Sequence, residues 1–120
     1  MEAAELKLEM TPARAVERLE GDLGLTRGEL AAALGATPRT LERWRTGATH
    51  PQRDARRRLA ALLNLDEHLR DTFTDSEATR EWLRAPNPYL GGLTPADALR
   101  AGRADRVEAA LEALNSGVFV

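Results

Sequence analysis

Apolar residues recur along this chain at spacings of three and four, and the runs are punctuated by Thr-Pro pairs and glycines. That period belongs to helices with one buried face, not to strands. Thr11-Pro12 reads as an N-cap followed by proline at the first helical position, where a missing N–H costs nothing. Ala15, Val16 and Leu19 follow at helical spacing until about Glu20-Gly21. Thr26 and Glu29 have the spacing of a capping box, and the stripe Leu30, Ala31, Leu34 stops at Gly35. Thr37-Pro38 repeats the cap-plus-proline device, Leu41 and Trp44 share a face, and Gly47 closes a third helix. Pro51 opens a fourth, which carries Leu59, Leu62, Leu63 and Leu69 to about Phe73. Thr74 and Glu77 form another capping box before a short helix through Trp82 and Leu83. Two prolines make residues 85–88 non-helical, Thr94-Pro95 starts a helix to about Ala101, and the last helix, about 103–115, aligns Val107, Ala110, Leu111 and Leu114. The expected fold is all-α, with one helical module to about residue 65 and a second from about residue 75.

Composition narrows the function. The chain has 120 residues, 42% hydrophobic and 30% charged, enough for one ordinary domain or two very small ones. Alanine and leucine make up about a third of it, isoleucine is absent and valine occurs four times, which favours helix over sheet. With no cysteine there is no disulfide framework, thiolate zinc site or cysteine nucleophile, and His50 and His68 are the only imidazoles. No metal and no cofactor are expected. No run of about 20 apolar residues occurs, and the segment MEAAELKLEM alternates charge where a signal peptide needs a basic end and an apolar stretch. The expectation is a cytoplasmic protein without membrane contact.

The net charge of −2 hides a segregation. Residues 1–38 sum to −3 and residues 59–120 to −4, whereas residues 39–58 carry seven arginines against Glu42 and Asp54, for +5. Such an island is the footprint of a phosphate-binding surface, and equally of a solvated, salt-bridged helix face. Charge alone does not separate the two.

Residues 27–46 bear on the choice. Two short helices joined by a tight turn that begins with glycine form the geometry of a helix-turn-helix, whose second helix enters the major groove. Ala31 is small where the helices cross, Gly35 tolerates the turn, and Leu41 and Trp44 bury one face of the second helix. Thr37, Pro38, Arg39, Glu42, Arg43 and Thr46 are left outward. The spacing Ala31, Gly35, Leu41, Trp44 resembles the helix-turn-helix of phage repressors and the Xre family. Arg39 and Arg43, one turn apart, can pair with guanine edges, while Thr37 and Thr40 suit a phosphate or a thymine methyl. Arg45, Arg53, Arg56, Arg57 and Arg58 are candidates for phosphate contacts. The triplet Arg56, Arg57, Arg58 reads equally well as the solvated face of the fourth helix.

The second module carries Trp82, then Pro86-Asn87-Pro88-Tyr89-Leu90-Gly91-Gly92, Pro95, Asp97, Leu99, Gly102-Arg103, Val107, Leu111 and Gly117. Prolines and glycines fix an irregular loop that Trp82 and Tyr89 can pack and whose backbone groups Asn87 can satisfy, and none of these residues supplies a nucleophile or a base. The pattern resembles the C-terminal toxin-binding domain of the Xre/MbcA/ParS-like antitoxins, and the resemblance covers essentially the whole chain. It implies a helix-turn-helix DNA-binding domain over 1–70 and a toxin-binding domain over 71–120. It also implies a RES-domain toxin partner, encoded by an adjacent gene, that degrades NAD or transfers ADP-ribose, and repression of the shared operon through operator DNA. Carried over by position, the loop from Asn87 to Gly92, Pro95 and Asp97 shape the domain while the last helix and the tail face the toxin, and the toxin-binding candidates are Asn87, Leu90, Gly91, Arg103, Val118, Phe119 and Val120. The last three, with the terminal carboxylate, suit an anchor in a nucleotide pocket; a terminus folded onto the antitoxin's own core is the alternative.

Two other functions compete. One is a stand-alone dimeric repressor without a toxin. The other is an enzyme built on Asp75, Glu77 and Asp97 with Arg100 or Arg103, but Leu90-Gly91-Gly92 lacks the lysine and spacing of a nucleotide-binding loop. A non-enzymatic protein is expected, as a homodimer on two half-sites and a larger hetero-oligomer with toxin.

Overall fold

Each Thr-Pro pair starts a helix as expected, and the elements follow the order the spacings predict. The computed structural model describes residues 10–117, and no strand occurs among them. Helix α1 spans Pro12–Leu23, capped by the Thr11 side chain, which accepts from the Arg14 N–H at 3.2 Å. It runs past the expected stop at Gly21. A glycine inside a helix costs only about 1 kcal/mol, and continuing one turn buries Leu23; the chain leaves the helix at Gly24, with φ at 65°. A side chain at Gly24 would also collide with Arg80, whose Cδ lies 2.5 Å from where its Cβ would stand.

Helix α2, Arg27–Ala33, has the expected capping box: the Glu29 N–H donates to Thr26 Oγ1 at 3.1 Å, and the Thr26 N–H donates to Glu29 Oε1 at 2.8 Å. Helix α3 is Pro38–Thr46, ended by Gly47 in the left-handed region. Helix α4, Arg53–Thr72, begins two residues after Pro51, which is buried in the approach to it. Helix α5, Ser76–Arg84, is capped by Asp75 and not by Thr74: Asp75 Oδ1 accepts from the Ala78 N–H at 2.8 Å. A carboxylate is the stronger acceptor and complements the positive end of the helix dipole. A 3-10 turn at Pro88–Leu90, α6 at Pro95–Arg100 and α7 at Ala104–Ser116 complete the chain.

One core runs through all of this. Ala15, Val16, Leu19 and Leu23 of α1 meet Leu30 and Ala31 of α2, Leu41 and Trp44 of α3, and Leu59, Leu62, Leu65 and Leu69 of α4; Leu83, Leu99, Val107 and Leu111 belong to the same cluster. Residue 70 thus falls inside the 20-residue α4, which serves both halves. Leu114 departs from the expected stripe and is 42% exposed.

Polar contacts also cross between the halves. Arg84 of α5 forms a fork on Glu29 of α2, both Nη–Oε distances being 2.7 Å, and Nη2 also donates to the Gly24 carbonyl at 3.0 Å. The Arg84 hydrogen bonds hold the Glu29 carboxyl down at about 2. The fork is bidentate, and half-exposure of Arg84 screens part of its worth, so Arg84→Ala is expected to cost about 1–2 kcal/mol. Because the folded pKa of Glu29 is depressed, this contribution is present above pH 4.5 and fades as the pH falls toward 2. Thermal denaturation of the parent and Arg84→Ala at pH 7 and pH 3 measures it: the gap narrows at the lower pH.

Candidate functional site

The α2-turn-α3 segment is held from within. The Ala36 N–H donates to the Ala31 carbonyl at 2.8 Å and the Gly35 N–H to the Ala32 carbonyl at 3.1 Å, so the last carbonyls of α2 are used up by the turn. Gly35 sits at φ 70°, where a side chain would be strained. Ala31 is fully buried, as close helix crossing requires, and Leu41 and Trp44 turn inward with 0% and 5% exposure. Thr37, Pro38, Arg39, Glu42, Arg43 and Thr46 all face outward. Inward and outward residues of α3 are those that the spacing predicts.

The basic island separates into two groups. Arg39 and Arg43 on α3 and Arg53, Arg56 and Arg57 at the start of α4 are exposed and have no ion pair among the described residues. Their charge is available to a polyanion. Arg45, a candidate phosphate contact, lies 3.6 Å from Glu20 and 4.0 Å from Glu42, in a network that Arg27 joins through Glu42 at 3.1 Å. Arg58 is tied to Asp54 at 3.1 Å, and its guanidinium lies against Gly35 and Gly102, where added Cβ atoms would come within 3.4 and 2.8 Å of it. These two arginines brace the scaffold. Neither presents a free charge.

Thr37 and Thr40 are partly committed as well. Thr37 Oγ1 accepts from the Thr40 N–H and donates to Thr40 Oγ1, both at 3.1 Å, which leaves the Thr40 hydroxyl hydrogen to aim outward. Both line an open cleft of about 690 Å³ between the starts of α3 and α4, with Arg43, Thr49, His50 and Gln52 on its rim and Trp44 on its floor. Thr49, His50 and Gln52 escaped sequence reasoning because they lie in a connector with no periodicity.

In the second half, the toxin-contact candidates Asn87 and Leu90 are 8% and 6% exposed, and Asn87 satisfies loop backbone groups as expected. Asn87 organises its loop: Oδ1 accepts from the Tyr89 N–H at 2.9 Å, and its backbone bonds to Leu90, Gly92 and Leu93. Leu90 packs into the core, and Gly91 ends the 3-10 turn at φ 68°. These two side chains shape the surface from beneath. Their neighbours Tyr89, expected to pack the loop, and Leu93 stand out at 43% and 58% exposure, because a loop has no period to assign faces. Arg103 is exposed and forked onto Asp105 at 3.0 and 2.9 Å. Val118, Phe119 and Val120 lie outside the described residues.

Among the described residues no cluster of three or more histidines and carboxylates could hold a metal ion, and no helix is long and apolar enough to cross a membrane.

Comparison with known proteins covers both halves. Residues 3–73 match a helix-turn-helix domain, and residues 68–117 match the antitoxin Xre/MbcA/ParS C-terminal toxin-binding domain. The mycobacterial cidal antitoxin MbcA of Mycobacterium tuberculosis, like that of Mycobacterium bovis, is 36% identical over 94% of this chain and 96% of its own length. A probable mycobacterial cidal antitoxin of M. tuberculosis is 35% identical over 81% of this chain and 82% of its own. Among solved structures, the crystal structure of the M. tuberculosis MbcT–MbcA toxin–antitoxin complex contains a chain that superposes with a TM-score of 0.68 at 34% identity, over 90% of this chain and 96% of that one. With both domains matched in order and a relative aligned nearly end to end, the chain belongs to the Xre/MbcA/ParS antitoxin family and carries a helix-turn-helix.

Proposed function

We propose that this antitoxin neutralises a RES-type toxin, one that degrades NAD or transfers ADP-ribose, by binding it directly, and that it represses its own operon through α3. The observation that carries the toxin assignment is the likeness, over nearly the whole of both chains, to an antitoxin crystallised with its toxin. Support for the DNA assignment is the outward pair Arg39 and Arg43, unpaired among the described residues, with Arg53, Arg56 and Arg57 beside them. On operator DNA the two α3 arginines read guanine edges, and the α4 arginines contact phosphates. One helix-turn-helix covers a short site, so a homodimer on two half-sites about one helical turn apart is the binding species. Toxin adds to it in a larger hetero-complex.

Contacts to the toxin are assigned to the C-terminal half: the surface shaped by Asn87, Leu90 and Gly91, Arg103, and the tail Val118, Phe119 and Val120 as an anchor. Co-expression with the toxin gene next to this one tests the reading. The full chain is expected to restore growth and to co-purify with toxin, whereas a chain lacking residues 117–120 accumulates and fails to neutralise. Undiminished neutralisation by the shortened chain rules out the anchor, and persistent arrest with the full chain rules out the toxin assignment.

A further inference from the structure

Asp66, in the middle of α4, is 1% exposed, and its Oδ1 has no hydrogen-bond partner among the described residues. Its other oxygen, Oδ2, accepts from Arg18 Nε at 3.1 Å, with Arg70 Nε at 3.6 Å. Both arginines are shared with Asp22 at the end of α1: Arg70 Nη2 and Nε reach Asp22 Oδ2 at 2.6 and 2.9 Å, and Arg18 Nε lies 3.8 Å from it. The Oδ2 atoms of Asp22 and Asp66 thus share two guanidinium nitrogens, Arg18 Nε and Arg70 Nε. They border a recess of about 260 Å³ closed by Phe73 and by Asp75, Ser76 and Thr79 at the start of α5. Asp75 is occupied in capping α5, and Glu67 adds a negative field at Arg70.

Two carboxylates gathered on the same two arginine nitrogens, one of them buried, are costly to ionise together. A buried carboxylate oxygen without a donor is costly as well. A single proton on Asp66 relieves both costs, because the buried carboxyl becomes neutral while Oδ2 still accepts from Arg18. Burial first, then Asp22, push the Asp66 carboxyl up to about 7 against the pull of Arg70 and Arg18.

We propose that Asp22 and Asp66 share one proton, and that the pair is a pH-sensitive latch fastening the end of α1 to α4 behind the helix-turn-helix. Helix α1 packs on α3, α4 and α5, so the latch secures the platform that holds α3. It does not depend on which toxin or operator the chain binds. The folded pair keeps a proton that the unfolded Asp66 has lost above its ordinary value of 3.8, so stability falls as the pH rises from there through neutrality.

Asp66→Asn keeps an oxygen toward Arg18 and has no proton to lose. Between pH 5 and pH 8 the melting temperature of the full chain is expected to fall on the order of 10 °C more than that of Asp66→Asn. Equal slopes overturn the proposal. Should Asp66→Asn fail to fold, carboxyl-carbon NMR titration of the unaltered chain decides: the pair is expected to show a titration step near neutrality, and two steps below pH 5 overturn the latch.

Discussion

Cutting Trp44 back to alanine is expected to remove about 3–5 kcal/mol of folding stability, the range for losing a large aromatic from a packed core. Trp44 is 5% exposed and shares the core with Leu41, Leu30 and the α4 leucines, while its edge floors the cleft between α3 and α4. The void left behind opens toward the cleft that Thr37, Thr40, Arg43, Thr49, His50 and Gln52 line, so the lost packing is replaced by solvent and not by side chains. Denaturant unfolding of the parent, Trp44→Ala and Trp44→Phe measures the loss, with most of it restored by phenylalanine. Operator binding is lost in Trp44→Ala only because α3 is unseated; at a temperature where the variant is fully folded, some affinity returns.

The second large effect separates from the first by leaving stability alone. Arg39→Ala and Arg43→Ala each remove an exposed side chain with no ion pair among the described residues, so folding changes by less than about 0.5 kcal/mol. A bidentate arginine–guanine contact is worth about 1–3 kcal/mol of discrimination, so each variant is expected to lose roughly 5- to 150-fold in operator affinity and the double variant more. Substituting Arg53, Arg56 or Arg57 has a different signature. Those losses are similar on operator and unrelated DNA, and each lowers the slope of log affinity against log salt by about 1. A salt titration on both DNAs sorts the five arginines. If Arg39→Ala and Arg43→Ala bind operator like the parent, the groove assignment is wrong.

Why some features could be read from sequence and others could not follows from their range. The caps at Thr11, Thr26, Thr37 and Thr94 are local devices, each a side chain and an N–H three residues apart, and all four form as their spacing predicts. Faces of α3 were legible because Leu41 and Trp44 are the only large apolar groups on a short helix. Where two local signals competed, sequence chose wrongly: Thr74 against Asp75 for the α5 cap, and Gly21 against Gly24 for the end of α1. Tertiary rewards decided the second case, through burial of Leu23 and the pressure of Arg80 on Gly24. Long-range pairing was invisible. Nothing near Arg45 in sequence announces Glu20, nothing near Arg84 announces Glu29, and Asp66 looks like any helix-surface acid until α1 covers it. For the same reason the +5 island overstated the unpaired charge, since Arg45 and Arg58, both partly exposed, form ion pairs with Glu20 and Asp54.

The continuous core also bears on how the two proposed functions share one small chain. Glu29 caps the first helix of the helix-turn-helix and is gripped by Arg84 from the other half, while Arg58 lies between the turn glycine Gly35 and Gly102. Neither half has a complete hydrophobic face without its partner.

The central claim is that this chain inactivates a toxin by binding it. Its most direct test titrates the purified toxin proposed as partner with the purified full chain, reading the NAD-consuming activity proposed for that toxin. The account predicts activity falling linearly to zero at a fixed stoichiometric ratio, with the inhibited toxin and this chain migrating as one complex. Full toxin activity at saturating amounts of folded chain would contradict it.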